Sequence, residues 1–418
     1  MLYCYRFLIT MYEWMLRCAA PFKPKAKLFL EGRKGLLLRI KAVMAGESRP
    51  RIWVHCASLG EFEQGRNLIE LLRSEYPGYA LVLTFFSPSG YQVRKKYKGA
   101  DYVFYLPLDK REHAEQFVLD VQPSLAVFVK YDLWYYYLST LQRRQIPAIL
   151  ISAIFREHQN FFKFYGGLRR DMLRMFTHIF VQDELSQQLL QGIGINQVTV
   201  AGDTRFDRVL FVKHKMSSLP EVERLCQNHK LLIAGSTWAP DEALLAEVLP
   251  VLPDNWKLVI VPHEVDQQRI EKVAKTFNGK IKRWSEWEDG AAFTERVLVV
   301  DTIGILLKLY RYASIAWIGG GLSATGVHNV LEPAVYGIPC AFGPQYTDYL
   351  EAQELIQSGG ATACSNKKEL MLFLSSMLEN PAQYQFKASA AGNYVASRAG
   401  ATRRILDYLA EKNWLKTL

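Results

Sequence analysis

Residues 51–86 read RIWVHCASLGEFEQGRNLIELLRSEYPGYALVLTFF. An apolar run, IWVHCA, leads through a small polar turn into EFEQGRNLIELLRSEY, where apolar residues recur at helical spacing, and the chain returns to an apolar run, YALVLTFF. Near-continuous apolar strands on both sides of a helix belong to a parallel sheet covered on its two faces. The alternation continues through strands expected at DYVFYL, SLAVFV, AILISA, HIFVQ and VTVAG, with helical REHAEQFVLD and ELSQQLLQGIG between them. After the charged segment KHKMSSLPEVERLCQNHK it restarts, with strands at LLIAGS, WKLVIVP, VLVVD, SIAWIGG, IPCAFG and ATACS. Two such series predict an α/β chain of two Rossmann-like domains facing across a cleft, the usual place for a ligand beyond the carboxyl ends of such strands.

The length of 418 residues suits two domains. The expected division is a basic, apolar segment over 1–40, a first domain over 41–210 and a second over 211–418, its final helices, from about Pro381, crossing back onto the first. Six scattered cysteines form neither a CxxC pair nor a Cys/His cluster, so no disulfide framework and no metal site is expected. The net charge of +10 favours an acidic partner. Residues 1–40 hold Arg6, Arg17, Lys23, Lys25, Lys27, Arg33, Lys34 and Arg39 against Glu13 and Glu31. MLYCYRFLITMYEWMLRCAA is apolar and aromatic, but three charges argue against a signal peptide or a spanning helix. Beside the basic cluster it reads as a monotopic helix on an anionic membrane surface.

Two loops carry the chemistry. Strand SIAWI ends in Gly319, Gly320 and Gly321, where glycine permits positive φ or a close backbone approach. A helix is expected to start near His328 or Asn329, offering its N–H groups to a phosphate, with Glu332 in its first turn poised for ribose hydroxyls. The pattern is neither GxGxxG nor a P-loop. In the other loop, HCASLGE, Glu61 stands at a helix start after Ser58 and Gly60, where it can serve as a general base for a hydroxyl or simply cap its helix. Ser236 and Thr237 end the first strand of the second series and His263 follows the next. Arg205, in GDTRFD, can pair with a carboxylate or phosphate. The run Trp134-Tyr135-Tyr136-Tyr137 reads as packing or membrane-near surface.

Taken together, HCASLGE, KYDLW, GDTRFD, AGSTW, DTIG and HNVLEPAVYGIP, in that order along the chain, resemble the bacterial 3-deoxy-D-manno-octulosonic acid (Kdo) transferases of lipopolysaccharide biosynthesis. The resemblance implies a GT-B fold, CMP-Kdo as donor, a lipid A precursor as acceptor, inversion at the anomeric carbon, no cofactor or metal, and a place on the cytoplasmic face of the inner membrane. By matching position it makes Glu61 the base, with Gly60 shaping its loop; Ser58 and Gly60 are expected acceptor or carboxylate contacts. Ser236, Thr237, His263, Gly320, Gly321, His328, Asn329 and Glu332 become donor contacts, and Arg205 a carboxylate contact. Three segments depart from the family pattern: KYDLWYY for E-x-E-L-W-P-N, VPHEV for R-H-P-E-R, and GDTR for G-N-x-K. The rival readings are another GT-B transferase or a nucleotide-sugar epimerase using a UDP- or ADP-sugar, and a non-catalytic lipid- or nucleic-acid-binding protein. Nucleic acid is not expected, since aromatic and basic residues do not interleave.

Overall fold

Apolar strand residues settle on alternate faces of each sheet, and this places the two cores. In the computed structural model, which describes residues 2–215, 217–287, 291 and 293–416, Trp53 packs with Phe117, Phe128 and Tyr137. Its neighbours Ile52 and Val54 turn to the opposite face, against Phe62, Leu68 and Leu72. The chain divides into two units. The first runs to Arg208 and takes in the segment from Ala399, and the second is Val209–Arg398.

The first unit carries strands β1 (Arg51–Cys56), β2 (Ala80–Phe85), β3 (Tyr102–Tyr105), β4 (Pro123–Val129), β5 (Ala148–Ala153), β6 (His178–Val181) and β7 (Val198–Val200). They lie in the order β3-β2-β1-β4-β5-β6-β7, every neighbouring pair parallel. The second unit carries β8 (Lys230–Thr237), β9 (Trp256–Pro262), β10 (Lys282–Arg283), β11 (Val297–Val299), β12 (Ile315–Ile318), β13 (Cys340–Phe342) and β14 (Ala361–Ala363). Its order is β10-β11-β9-β8-β12-β13-β14, again parallel throughout. Both units are therefore Rossmann-like α/β sheets. Thirteen strands coincide with the expected apolar runs. The exception, β10, is two basic residues at a sheet edge and has no apolar pattern to reveal it.

The chain ends correct the expected division in two respects. Helix Pro381–Arg398 stays with the second unit, where Ala388, Ala391, Tyr394 and Val395 are buried, the Tyr384 hydroxyl donates to the Ser314 carbonyl and the Tyr394 hydroxyl to Glu354. Only helix Ala401–Glu411 returns to the first unit. It buries Ile405, Leu406 and Leu409 there and stacks Tyr408 on His178, with 4.2 Å between ring centroids. The N-terminal residues are likewise part of the first unit. Helix Leu2–Ala19 has no buried residue, yet Tyr12 packs on Phe29 and Phe86 and two polar contacts fasten it. Lys110 pairs with Glu13 at 2.5 Å, and the Tyr5 hydroxyl donates to Asp109. The opposite side leaves Tyr3, Phe7, Met11, Trp14 and Met15 exposed.

Asp109 has a second role. Its carboxylate is almost fully buried and accepts the N–H groups of Tyr136 and Tyr137, capping helix Tyr135–Arg143, which has no cap from its own N-terminal residue. Replacing Asp109 by alanine strands those donors and releases Tyr5. The expected cost is about 1–3 kcal/mol, read as a lower denaturation midpoint, together with faster proteolysis within residues 2–19. A midpoint within error of the wild type would contradict this account of the N-terminal attachment.

Candidate active site

Each sheet reverses its strand order once. In the first unit the order turns at β1 and β4, and in the second at β8 and β12. The loops leaving the carboxyl ends of such a pair diverge to opposite faces, opening the crevice where α/β sheets bind ligands. The loops singled out in the sequence leave these positions: Ala57–Glu61 follows β1, Lys130–Trp134 follows β4, Trp238 follows β8 and Gly319–Glu332 follows β12.

In the first unit Ser58 is the N-cap of helix Leu59–Glu75. Its hydroxyl oxygen accepts the Gly60 N–H at 3.2 Å, and the hydroxyl donates to the Glu61 carboxylate. Glu61 thus stands in the first helical turn, where the exposed N–H groups favour its negative charge. Asp132 comes in from the loop after β4 and accepts the Ala57 N–H at 2.8 Å. Burial first, and then the nearby Glu61 carboxylate, push Asp132 up to about 8, while the Ala57 N–H pulls it back. The loop that brings Asp132 here turns through Lys130, a non-glycine residue with φ of 64°, a conformation that costs energy and is commonly kept at functional sites.

Behind this pair lies His55, fully buried and pushed down to about 3 by desolvation. Its Nε2 accepts from the Trp134 indole at 3.1 Å and its Nδ1 meets Thr84 at 2.8 Å. His55 Nε2 is also 3.7 Å from Asp132. With the imidazole neutral and Asp132 protonated at neutral pH, that approach is a contact between uncharged groups, not an ion pair. The aromatic run resolves into packing, with Tyr136 and Tyr137 buried in the core.

Arg205 differs from its expected availability. Its Nε and Nη2 both reach Asp203, at 2.8 and 2.7 Å, so one side of the guanidinium fork already holds a carboxylate of its own loop. The segment lies against helix Leu59–Glu75, where the Thr204 hydroxyl donates to the Gln64 carbonyl at 2.7 Å. An anion binding at Arg205 must share it with Asp203.

In the second unit Trp238, His263 and His328 form a stack of three rings. The centroids are 4.8 Å apart for Trp238 and His263 and 4.5 Å for His263 and His328, with planes within 26°. The Trp238 indole donates to His328 Nε2 at 2.9 Å, so that ring carries its proton on Nδ1. Burial and then His263 keep its basicity below the usual histidine value. Asn329 closes a short turn by accepting the Leu331 N–H and donates to Glu332 at 3.0 Å. Hence His263, His328, Asn329 and Glu332 are gathered at one end of the sheet. Ser236 joins them on a bulge at the end of β8, half-buried and with φ of 55°.

Three expectations for this loop are corrected. The helix anticipated near His328 begins at Leu331 and spans only Leu331–Ala334, because the chain turns at Gly337 with φ of 69°; one turn supplies little dipole. Thr237 is fully buried and its hydroxyl donates to Glu242 at 2.8 Å, so it offers no hydroxyl to a ligand. Gly320 and Gly321 are buried too. The Gly320 N–H donates to Asp241 at 3.0 Å, with φ of 91°, and a Cβ on Gly321 would meet the Gly343 nitrogen at 2.7 Å. These glycines shape the turn rather than face a ligand. Their partner Asp241, buried and also accepting from Trp238 and Trp317, had no sequence signal of its own. Trp238 and Asp132 lay inside quoted motifs, but nothing in their spacing marked them as site residues.

Residues 33–208 match the family model described as 3-deoxy-D-manno-octulosonic-acid transferase. A 3-deoxy-D-manno-octulosonic acid transferase of Chlamydia trachomatis is 28% identical over 81% of this chain and 80% of its own length. The transferase of Haemophilus influenzae is 26% identical over 86% of each chain. Among solved structures, a putative UDP-N-acetylglucosamine 2-epimerase from Listeria monocytogenes superposes with a TM-score of 0.62, at 15% identity, over 88% of this chain and 98% of its own; this likeness shows the fold alone. Over residues 33–208 the chain is thus similar to the Kdo transferases, and its two parallel Rossmann-like sheets have the fold of this solved neighbour.

Proposed function

We propose that the enzyme moves Kdo from CMP-Kdo to a hydroxyl of a lipid A precursor, with inversion at the anomeric carbon and without a metal ion or other cofactor. The observation that carries this reading is the setting of Glu61: first turn of a helix, beside the strand-order reversal, with Ser58 donating to its carboxylate and Asp132 buried next to it. Glu61 takes the proton of the acceptor hydroxyl as that oxygen attacks the ketosidic carbon. The bond from that carbon to the CMP phosphate oxygen breaks, and its electron pair leaves with the phosphate. His263, His328, Asn329, Glu332 and Ser236 would hold the donor. Thr237, Gly320 and Gly321 support that surface from behind. The chain's charge of +10 suits an acidic sugar, a nucleotide phosphate and a phosphorylated lipid. Nucleic acid has no part in the proposal.

The same reading places the protein on the cytoplasmic face of the inner membrane as a peripheral or monotopic protein. Among the described residues no helix is long and apolar enough to cross a membrane. The exposed Tyr3, Phe7, Trp14 and Met15 of helix Leu2–Ala19 stand near the basic residues of 1–40, the pairing that binds anionic lipid at its surface.

Three outcomes test the proposal. Glu61→Gln should lower Kdo transfer by about 10²–10⁴-fold while CMP binding, followed by calorimetry, stays near wild type; turnover measured in EDTA at the wild-type rate would remove Glu61 from the mechanism. Asp132 binds a proton more tightly folded than unfolded, so its contribution is fully present below about pH 4 and is lost as pH rises through about 8. Asp132→Asn should therefore flatten the decline of thermal stability over that window, and an unchanged pH profile would show Asp132 to be ionised. Third, Phe7→Asp with Trp14→Asp should weaken sedimentation with phosphatidylglycerol vesicles, whereas undiminished binding would place the membrane contact elsewhere.

A further inference from the structure

A groove of about 930 Å³ runs along the first unit between helix Leu2–Ala19 and the segment 158–172. Its lining includes Leu8 and Ile9 of the helix, Phe161, Leu168 and Arg169 of the segment, and Tyr131. The far wall is built in advance. Gly166 leaves no room for a Cβ against the Asn160 and Phe161 carbonyls, and Arg170 ties the turn by donating to the carbonyls of Phe161 and Lys163 at 3.0 and 2.8 Å. The volume lies in the range of sites that enclose a small organic ligand, roughly 300–1,000 Å³.

Two features define the occupant. Next in the chain to the lining residues Leu8 and Tyr165, apolar side chains are left to solvent: Phe7 is 67% exposed and Phe164 94%. Tyr131, in the lining, is the residue before Asp132, whose loop reaches Glu61. The groove therefore borders, through chain neighbours, both the apolar surface offered to lipid and the loop beside the proposed base, and the exposed Arg169 in its lining matches an anionic group.

We infer that this groove receives one acyl chain of the lipid acceptor, so that the enzyme reads acyl length as well as the acceptor sugar. The inference rests on the lipid-acceptor reading above. Each methylene drawn from water into the groove contributes about fourfold in binding. Chain shortening should accordingly lower kcat/KM stepwise by about that factor until the chain no longer reaches the groove.

The test compares an acylated lipid A precursor, a series with shortened chains, and the deacylated, water-soluble glucosamine disaccharide phosphate, all in micelles of one neutral detergent. Wild-type enzyme should show the stepwise loss. Leu168→Trp, and independently Leu8→Trp on the exposed helix face, fill the groove. Each should raise KM for the long-chain acceptor tenfold or more and leave the deacylated acceptor unchanged, with circular dichroism confirming the fold. Equal effects on both acceptors, no effect on either, or indifference to chain length would overturn the groove assignment while leaving the lipid-acceptor reading intact. Variants that lose vesicle binding but keep chain-length discrimination would assign the groove to bulk lipid and also overturn it. Transfer to none of these acceptors would bring down the lipid-acceptor reading itself.

Discussion

A parallel sheet can reverse its strand order only where two crossover connections leave on opposite faces, and that divergence is the constraint on which the rest of this protein depends. Each unit makes the reversal once, beside β1 in one case and β8 in the other. The consequence is local and geometric: loops after β1 and β4 bring Glu61 and Asp132 together, and loops after β8, β9 and β12 bring Trp238, His263 and His328 into one stack. Neither group is close in sequence. The sheet order assembles them.

Buried polar side chains then hold the loops in place. In the first unit Asp132 accepts the Ala57 N–H, and Asp109 caps a helix that it does not belong to. In the second, Asp241 collects N–H groups from Gly320, Trp238 and Trp317. An unsatisfied buried donor costs about 1–3 kcal/mol, so each of these carboxyl groups fixes a turn at little net stability but with high specificity of position. Asp132 differs from the others in lying beside a second carboxylate, and its proton affinity is raised first by burial and then by that neighbour.

Most of the fold could be read from the chain because buried parallel strands are apolar along their whole length, and such runs are conspicuous. β10 escaped for the converse reason: two basic residues at an edge pair by backbone alone. The helix expected to start near His328 or Asn329 starts instead at Leu331, and the turn at Gly337 follows after a single helical turn. The placement of candidate residues at strand ends was legible where a side chain had a distinctive place, as with Glu61 after Ser58 or His328 before Asn329. It was not legible where function of the residue depends on burial. Thr237 and Ser236 are adjacent and chemically alike, yet a bulge leaves one half-buried at the site and the other sealed against Glu242. Likewise the fork of Arg205 is claimed by Asp203, a partnership that only side-chain geometry reveals.

The N-terminal helix ties these observations to the membrane reading, since one side is fastened through Tyr5 and Glu13 and the other offers aromatic residues outward. The account's central claim is chemical: an activated acidic sugar passes to a hydroxyl carried by lipid. Mass analysis of a lipid A precursor, after incubation with this protein and CMP-Kdo generated in situ, measures that claim most directly. The account predicts lipid heavier by whole Kdo residues, with CMP released in equal number. Unaltered lipid despite release of CMP, or the same lipid modified instead by a UDP-linked sugar, would contradict it.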